Sequence, residues 1–482
     1  MSRFVNRITE LAFLDELLTR QRPGPAQLIL LYGRRRVGKT VLLRQWIARH
    51  SVETEAVAST YWSAEKEPAA LQRRKLYAHL LHIPVSRAPL FDSWQELWRA
   101  IADIIGNRRH ILILDELPYA AEADPAMLSA LQHAWDQYFK DSALVIVLCG
   151  SQVRTMEMLM TRQSPLFGRM TGQWYVEPLA FGSLKEFFPN WSAEERVAIY
   201  AIAGGIPAYL EWLDPQRGLV QNIRDVILSP GSMFIAEPQF LLYDEVREPQ
   251  TYLAALKAIG GGAHTLREIS NESLIGTAHL SSYLATLQDL RLVKRRIPVT
   301  VAPAMRRKSR QGRYHLSDPY FRFYFRFLAP YHDLLTLDPE RVVDGIRQNL
   351  RAFVGQTAFE ELAQEWVRQQ GRAGNLPLTM DAVGSHWSRK VQVDVVGVNW
   401  QRHELLLGEC KWGGAAVDEE VVRELVVDKT PKVLADLKNN GDIWKVHYAF
   451  FARAGFTAAA RAEAQRVKAV LVDLQTLDQS LG

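Results

Sequence analysis

The chain has 482 residues, 48% hydrophobic and 23% charged, with 58 Lys and Arg against 53 Asp and Glu for a net charge of +5. These are the values of an ordinary globular protein of two to four domains with room for a sizeable core. No apolar run approaches the length of a bilayer, the N-terminus lacks a signal-peptide pattern, and two cysteines, Cys149 and Cys410, imply no disulfide framework. A cytoplasmic protein with no membrane partner and no solenoid repeat is therefore expected.

Residues 28–43 read LILLYGRRRVGKTVLL. The apolar run Leu28–Leu31 fits a buried parallel strand, and a helical pattern follows from 40 to 50. Between them Gly33, Gly38, Lys39 and Thr40 form G-x-x-x-x-G-K-T. Strand, glycine loop and helix together predict a phosphate cradle of backbone N–H groups. Lys39 is expected to reach the β- and γ-phosphates of ATP and Thr40 to bind Mg²⁺. Arg36, Val37 and Val41 complete the expected nucleotide-contacting set.

Further strands are expected at 56–62, 110–115 and 143–149, with helices at 93–105 and 124–140. Asp124 is a candidate N-cap, with Pro125 at the first helical position. Apolar strands alternating with helices imply a parallel sheet covered on both faces. In ILILDEL (111–117) the apolar run carries Asp115 to the end of a strand, where it would hold Mg²⁺, and Glu116 would orient the attacking water. Ser151 ends the strand LVIVLCGS and is expected near the γ-phosphate. Arg169 in SPLFGR is the candidate cation for the transferring phosphoryl group, with a structural ion pair as the competing reading and the neighbouring subunit of a homo-oligomer as an open target.

Segments 4–11 (FVNRITEL), 32–40, 112–117, 149–151, 164–169 and 204–210 (GGIPAYL) together resemble the archaeal-type ATPases, in the STAND branch of AAA-like P-loop NTPases. The resemblance implies that Arg7 and Glu10 lie near the base, that Pro207 of Gly205-Ile206-Pro207 senses the nucleotide, and that a winged helix follows.

From 180 to 245 the pattern is mainly helical. Helices are then expected at 251–259, 264–270 and 277–290, followed by strands at 292–300 and 312–316. Segment 291–313 carries nine Lys and Arg and no acid. Three helices and a basic hairpin suggest a winged helix-turn-helix, with 277–290 as recognition helix and 297–311 as a wing that grips double-stranded DNA. The aromatic run DPYFRFYFRFLAPY (318–331) reads as a core or seam.

After residue 345 the expected order is a helix (345–370), strands at 382–388, 391–398 and 404–410, a helix at 417–438, a strand at 444–452, a helix at 456–467 and a strand at 469–473. Asp394 in VQVDVVG and Glu409 with Lys411 in LLLGECKW put two carboxylates and a lysine on neighbouring strands. Alternation turns Glu409 and Lys411 to one face and Cys410 to the other, where it is expected in core packing. Such a set can bind Mg²⁺ and activate water toward a phosphodiester, with Glu360 as a further ligand and Glu361 its substitute. This segment resembles a PD-(D/E)XK nuclease core, and relatives of the ATPase carry such a domain with an E-C-K motif. Gln392 stands where relatives often have an acid.

The expected architecture is thus an α/β multidomain chain. It comprises a P-loop AAA-like ATPase core (1–180), a helical lid (181–248), a winged helix-turn-helix (249–330) and a restriction-endonuclease-like α/β domain (345–475). The expected function is an ATPase that couples ATP and ADP states to DNA binding and Mg²⁺-dependent cleavage. The alternative is a nucleotide-dependent switch or DNA-binding regulator with a non-catalytic nuclease fold.

Overall fold

The computed structural model describes residues 4–20, 24–51, 57–437 and 443–482. Residue 56 of the expected second strand and residue 438 of the expected 417–438 helix lie outside the described residues. The chain forms two compact units. One comprises residues 1–179 together with Ile206–Glu211, and the other comprises 180–205 and 212–482.

The first unit is built on β1 (Gln27–Tyr32), β2 (Ala58–Ser63), β3 (His110–Asp115), β4 (Leu144–Gly150) and β5 (Gly172–Tyr175), in the order β2-β3-β4-β1-β5. Every pair is parallel. β1, β3 and β4 are buried along their whole length, which is why they read as unbroken apolar runs. Leu30, Leu112 and Ile146 pack one face against Trp94, Trp98 and Phe139. Trp46 and Trp135 are also core residues. β5 was not expected, being four half-buried residues with no apolar run. The helix Trp94–Ile105 starts where expected, with Ser93 accepting from Glu96 N at 3.2 Å. The expected 124–140 helix is instead Ala126–Ala134 and a π turn, Trp135–Phe139, and a further helix, Leu117–Ala123, precedes it. Asp124 still accepts from Ala126 N, at 3.0 Å.

In the second unit the helices Pro249–Gly260, Leu266–Ser273 and Thr277–Asp289 precede the antiparallel pair β6 (Val293–Arg296) and β7 (Arg313–Leu316). Leu280, Leu284 and Leu287 form the buried stripe of the third helix. β6 is half the expected length. Pro298 has no N–H to give a ladder, and the next N–H, of Val299, bonds the Ser385 carbonyl at 3.0 Å. The aromatic run is core: Tyr320, Phe321 and Phe323 are fully buried.

The second sheet has β8 (Ala382–Trp387), β9 (Gln392–Asn399), β10 (Glu404–Lys411), β11 (Lys445–Ala452) and β12 (Val470–Asp473), in the order β12-β11-β10-β9-β8. β8, β9 and β10 are antiparallel, and β10, β11 and β12 parallel. Val393, Leu405, Leu407 and Phe450 pack against Val422, Leu425 and Val433 of the following helical segment. Two expected helices carry a π turn: Gly355–Phe359 just before Glu360, and Glu424–Lys429. Such a turn adds a residue to the helical repeat and re-aims the side chains beyond it.

Candidate functional site

In the first unit the loop from β1 to the helix Lys39–Ser51 needs two glycines. A Cβ at Gly33 would lie 2.5 Å from the Val176 carbonyl oxygen, and Gly38 has φ +90°. Lys39 is buried, and its Nζ donates to the Gly33 and Arg34 carbonyls at 2.7 and 3.0 Å. Burial pulls its pKa down, partly offset by Cys149, Glu116 and Asp115. Thr40 Oγ1 donates to Asp115 Oδ2 at 3.0 Å. A hydroxyl and a carboxylate so close fit an octahedral Mg²⁺ completed by water and phosphate oxygens.

Asp115 ends β3, and its Oδ1 accepts from Glu116 N at 2.9 Å. The Tyr61 hydroxyl also donates to Asp115 Oδ2, and burial with the neighbouring carboxylate pushes the phenol pKa up. No sequence motif marks Tyr61; only the β2–β3 pairing of Ser63 with Asp115 brings it there. Ser151 Oγ donates to Glu116 Oε2 and Oε1 at 2.9 and 3.1 Å. This contact depends on β4 lying between β1 and β3.

Arg7, in a left-handed conformation with φ +69°, joins the loop to its surroundings. It donates to the Val37 carbonyl, to Glu10 and to the Glu177 carbonyl, each at 2.7 Å. Arg36 has φ +69°, and Val37 is buried while Val41 is exposed. Pro207 Cγ would lie 3.8 Å from a Cβ at Gly38. Tyr209, two residues on and fully buried, accepts from Arg34 Nη2 at 3.1 Å. Arg169 is clamped by Asp136, with Nη2 to Oδ2 at 2.6 Å and Nε to Oδ1 at 2.9 Å. The competing ion-pair reading describes its place in this structure, and a finger role would require Asp136 to release it.

In the second unit the carboxylates sit where strands part. The β9–β10 register ends at Val395–Gly408, immediately before Asp394 and Glu409. Between the pairs Gly384–Val396 and His386–Val393, β9 carries one residue more than β8. A bulge of this kind re-aims a side chain that simple alternation would misplace. Asp394 Oδ2 accepts from Cys410 N at 3.0 Å. Glu409 is buried and meets two lysines, Lys429 Nζ at 2.8 Å on Oε1 and Lys411 Nζ at 3.4 Å on Oε2. Lys429 was not anticipated, because it closes the π turn and belongs to no motif.

Burial raises the pKa values of Asp394 and Glu409, and for Glu409 the charge of Asp394 adds to this. Burial, then Asp394, pushes Glu360 up to about 9. The three carboxylates therefore share one electrostatic neighbourhood. Among the described residues, however, no three acidic, histidine or cysteine side chains are gathered closely enough to hold a metal ion. Mg²⁺ commonly uses one or two carboxylates plus water and substrate phosphate. The donor set suits such an open site, and Glu360, the further ligand expected, is not gathered with Asp394 and Glu409. Cys410 is half-buried, and burial first, then the charges of Asp394, Glu360 and Glu409, push its thiol pKa up.

Glu361 has a different role from its neighbour. It receives Lys294 at 2.9 Å, Arg322 at 2.9 Å, and Arg296. Burial pushes its carboxyl up, but Arg322, Lys294 and Arg296 together outweigh it and hold it well below the usual range. Two cations of the basic segment are thus spent internally. Arg306 donates to the Val299 and Val301 carbonyls at 3.0 and 3.1 Å, and Arg313 lies 5.3 Å from the Trp387 ring centre. The segment expected to be a free wing rests on β8, with Thr300 Oγ1 2.7 Å from His386 Nδ1 and Trp387 Nε1 donating to the Gln311 carbonyl at 3.1 Å. Arg307, Lys308 and Arg310 remain exposed.

The β2-β3-β4-β1-β5 parallel sheet, the glycine loop on β1 and the carboxylates after β3 define a P-loop ATPase domain. Residues 4–213 match the family described as an ATPase domain predominantly from Archaea, and 324–444 match archaea bacterial proteins of unknown function. The chain is 32% identical over 412 residues to an uncharacterized protein of Methanocaldococcus jannaschii, spanning 85% of this chain and 87% of that one. An uncharacterized ATP-binding protein of the same organism is 41% identical over 54 residues, 11% of this chain and 86% of its own length. Among solved structures, a Walker-type ATPase of Pyrococcus abyssi is similar at 20% identity and TM-score 0.49, over 67% of this chain and 96% of that one. The ORC2 protein of Aeropyrum pernix, in its ADPNP–ADP complexes, is similar at 14% and 0.43, over 72% and 95%. The chain belongs to the archaeal-type ATPase family, and its C-terminal segment matches the second family as well. Among the described residues no helix is long and apolar enough to cross a membrane.

Proposed function

We propose that this ATPase uses its nucleotide state to control a DNA-processing module in which the winged helix binds duplex DNA and the C-terminal domain cuts a phosphodiester. In the ATPase domain Lys39 would leave the Gly33 and Arg34 carbonyls for the β- and γ-phosphates, while Thr40 and Asp115 would hold Mg²⁺. Glu116, released by Ser151, would orient the attacking water.

The observation that carries the nuclease reading is Asp394 and Glu409 at the parting of β9 and β10 beside a bulge, with Lys411 and Lys429 on Glu409 and Glu360 within reach of their charge. Buried carboxylates whose pKa values are raised by burial, and for Glu409 and Glu360 also by Asp394, are a costly arrangement, of the kind functional sites keep. Mg²⁺ held by Asp394 and Glu409 would supply Lewis-acid stabilisation of the phosphate. Lys411 would steady the phosphate oxygens, and Lys429 would keep Glu409 ionised and oriented. Exposed Arg307, Lys308 and Arg310 are the cations of the basic segment best suited to duplex phosphates.

Plasmid nicking with Mg²⁺ or Mn²⁺ tests this reading, with Asp394→Ala and Lys411→Ala as controls. Metal-dependent cutting absent from both variants is the expected result; cutting retained in either removes the site assignment. A second reading, a switch that binds DNA or protein and cuts nothing, is favoured by both Glu409 oxygens already being engaged by lysines. No nicking by the parent chain under any metal would select it.

A further inference from the structure

The second unit contains a cavity of about 470 Å³ that touches the acid cluster only at Glu360 and is otherwise unassigned. Its wall is shared by the end of the helix Pro249–Gly260, strand β7, the π turn Gly355–Phe359 and strand β8. The volume lies in the range of small-ligand sites, roughly 300–1,000 Å³.

Its charged lining is one-sided. Arg296, Arg313, Arg322 and Arg326 face it, against the single carboxyl of Glu360. Arg296 and Arg322 share one counter-ion, Glu361, with Lys294, so three cations meet one carboxylate and positive charge is left over. Arg313 lies against the Trp387 ring, and Arg326 is exposed. Guanidinium forks on a concave wall match phosphate oxygens better than point charges do.

Two further features narrow the ligand. Phe353 and Trp387 also line the cavity and give it an aromatic wall, with Arg313 over the Trp387 ring and Phe323 and Phe327 packed edge-on to Phe353. At one side the lining reaches Glu360 and Gln392, and Gln392 stands two residues before Asp394 on β9. A phosphate on the arginines would therefore lie beside the carboxylates of the cleavage site.

We propose that this cavity binds a nucleotide unit, its phosphate held by Arg313 and Arg326 with Arg296 and Arg322 also in the wall, and its base beside the aromatic side formed by Phe353 and Trp387. The inference deepens the nuclease reading by giving the acid cluster a substrate subsite, but the binding itself needs no metal. The same chemistry is offered by a nucleic-acid strand and by a free mononucleotide.

The test uses the full chain with Lys39→Ala, so that the P-loop does not compete, in EDTA. Binding of a fluorescent single-stranded oligodeoxynucleotide is followed by anisotropy, with dAMP and unlabelled strand as competitors. In Arg313→Gln/Arg326→Gln, affinity should fall about tenfold or more and the salt slope by about 1.4, as expected for two lost phosphate contacts to a single strand. Both residues lie outside the Glu361 cluster, so an unchanged melting temperature confirms that the fold is intact. Displacement by dAMP at concentrations similar to the strand would assign the cavity to a free nucleotide; displacement by strand alone would assign it to nucleic acid. Affinity and salt slope equal to the parent's would overturn the inference. A chain that binds in EDTA but never nicks DNA in Mg²⁺ would keep the cavity and remove only the nuclease reading.

Discussion

Ser151 Oγ donates to both carboxylate oxygens of Glu116, at 2.9 and 3.1 Å. The residue suited to orient water for ATP hydrolysis is thus held by a neighbour's hydroxyl. Glu116→Gln should lower ATP turnover by roughly 10²–10⁴-fold while ATP stays bound. Ser151→Ala leaves the carboxylate in place and should change turnover much less. Nucleotide binding and phosphate release measured together check this; normal hydrolysis by Glu116→Gln would remove its role.

Lys39 is buried against loop carbonyls, with its pKa lowered mainly by desolvation. Lys39→Ala should abolish ATP binding, because the only buried cation of the loop is lost from the phosphate cradle. Equilibrium binding of a fluorescent ATP analogue reads this directly, and retained affinity would remove the P-loop assignment.

Glu360 gives a pH prediction with a definite sign. Its folded pKa, about 9, lies above the value of a free carboxyl. The folded state holds the proton more tightly, so stability falls as pH rises from about 4.5 toward 9. Glu360→Gln should therefore raise the melting temperature at pH 8 and flatten its decline between pH 5 and 9. A parallel pH profile in parent and variant would contradict this.

Glu361 has the opposite sign. Its carboxyl titrates below the usual range, so its contribution is complete above the unfolded pKa and is lost as pH falls toward the folded value. Glu361→Gln should cost about 1–3 kcal/mol at pH 7, between an exposed and a fully buried ion pair because the cluster is half-buried, and less at pH 3. Urea denaturation at the two pH values measures the difference.

Mg²⁺ offers a test that needs no cleavage. If Asp394 and Glu409 hold it, millimolar Mg²⁺ should raise the melting transition of the second unit by linkage. Asp394→Asn should abolish that rise, and Lys39→Ala should leave it. A rise that survives Asp394→Asn comes from elsewhere.

Some of this was legible in the residues. Leu28–Leu31 and Ile111–Leu114 are buried on both sides, so periodicity and burial coincide and the strands could be read directly. Gly38 needs its positive φ whatever surrounds it. Lys429 could not be read, because a π turn decides which way it faces. The basic segment misled for a related reason: composition counts charges but cannot tell Arg307, which is exposed, from Arg296, which is spent on Glu361.

The sequence by itself determined the local units: the phosphate loop, the apolar strands, the acidic strand ends and the three-helix pattern before a basic hairpin. Each depends on neighbours within a few residues, where backbone geometry and side-chain period act alone. Only the tertiary structure decided which charges meet. The clamp of Asp136 on Arg169, the two lysines on Glu409, and the choice between Glu360 and Glu361 join residues far apart in the chain. Their partners are chosen by strand order, a bulge and helical register, and electrostatic energy depends on distance in space rather than in sequence.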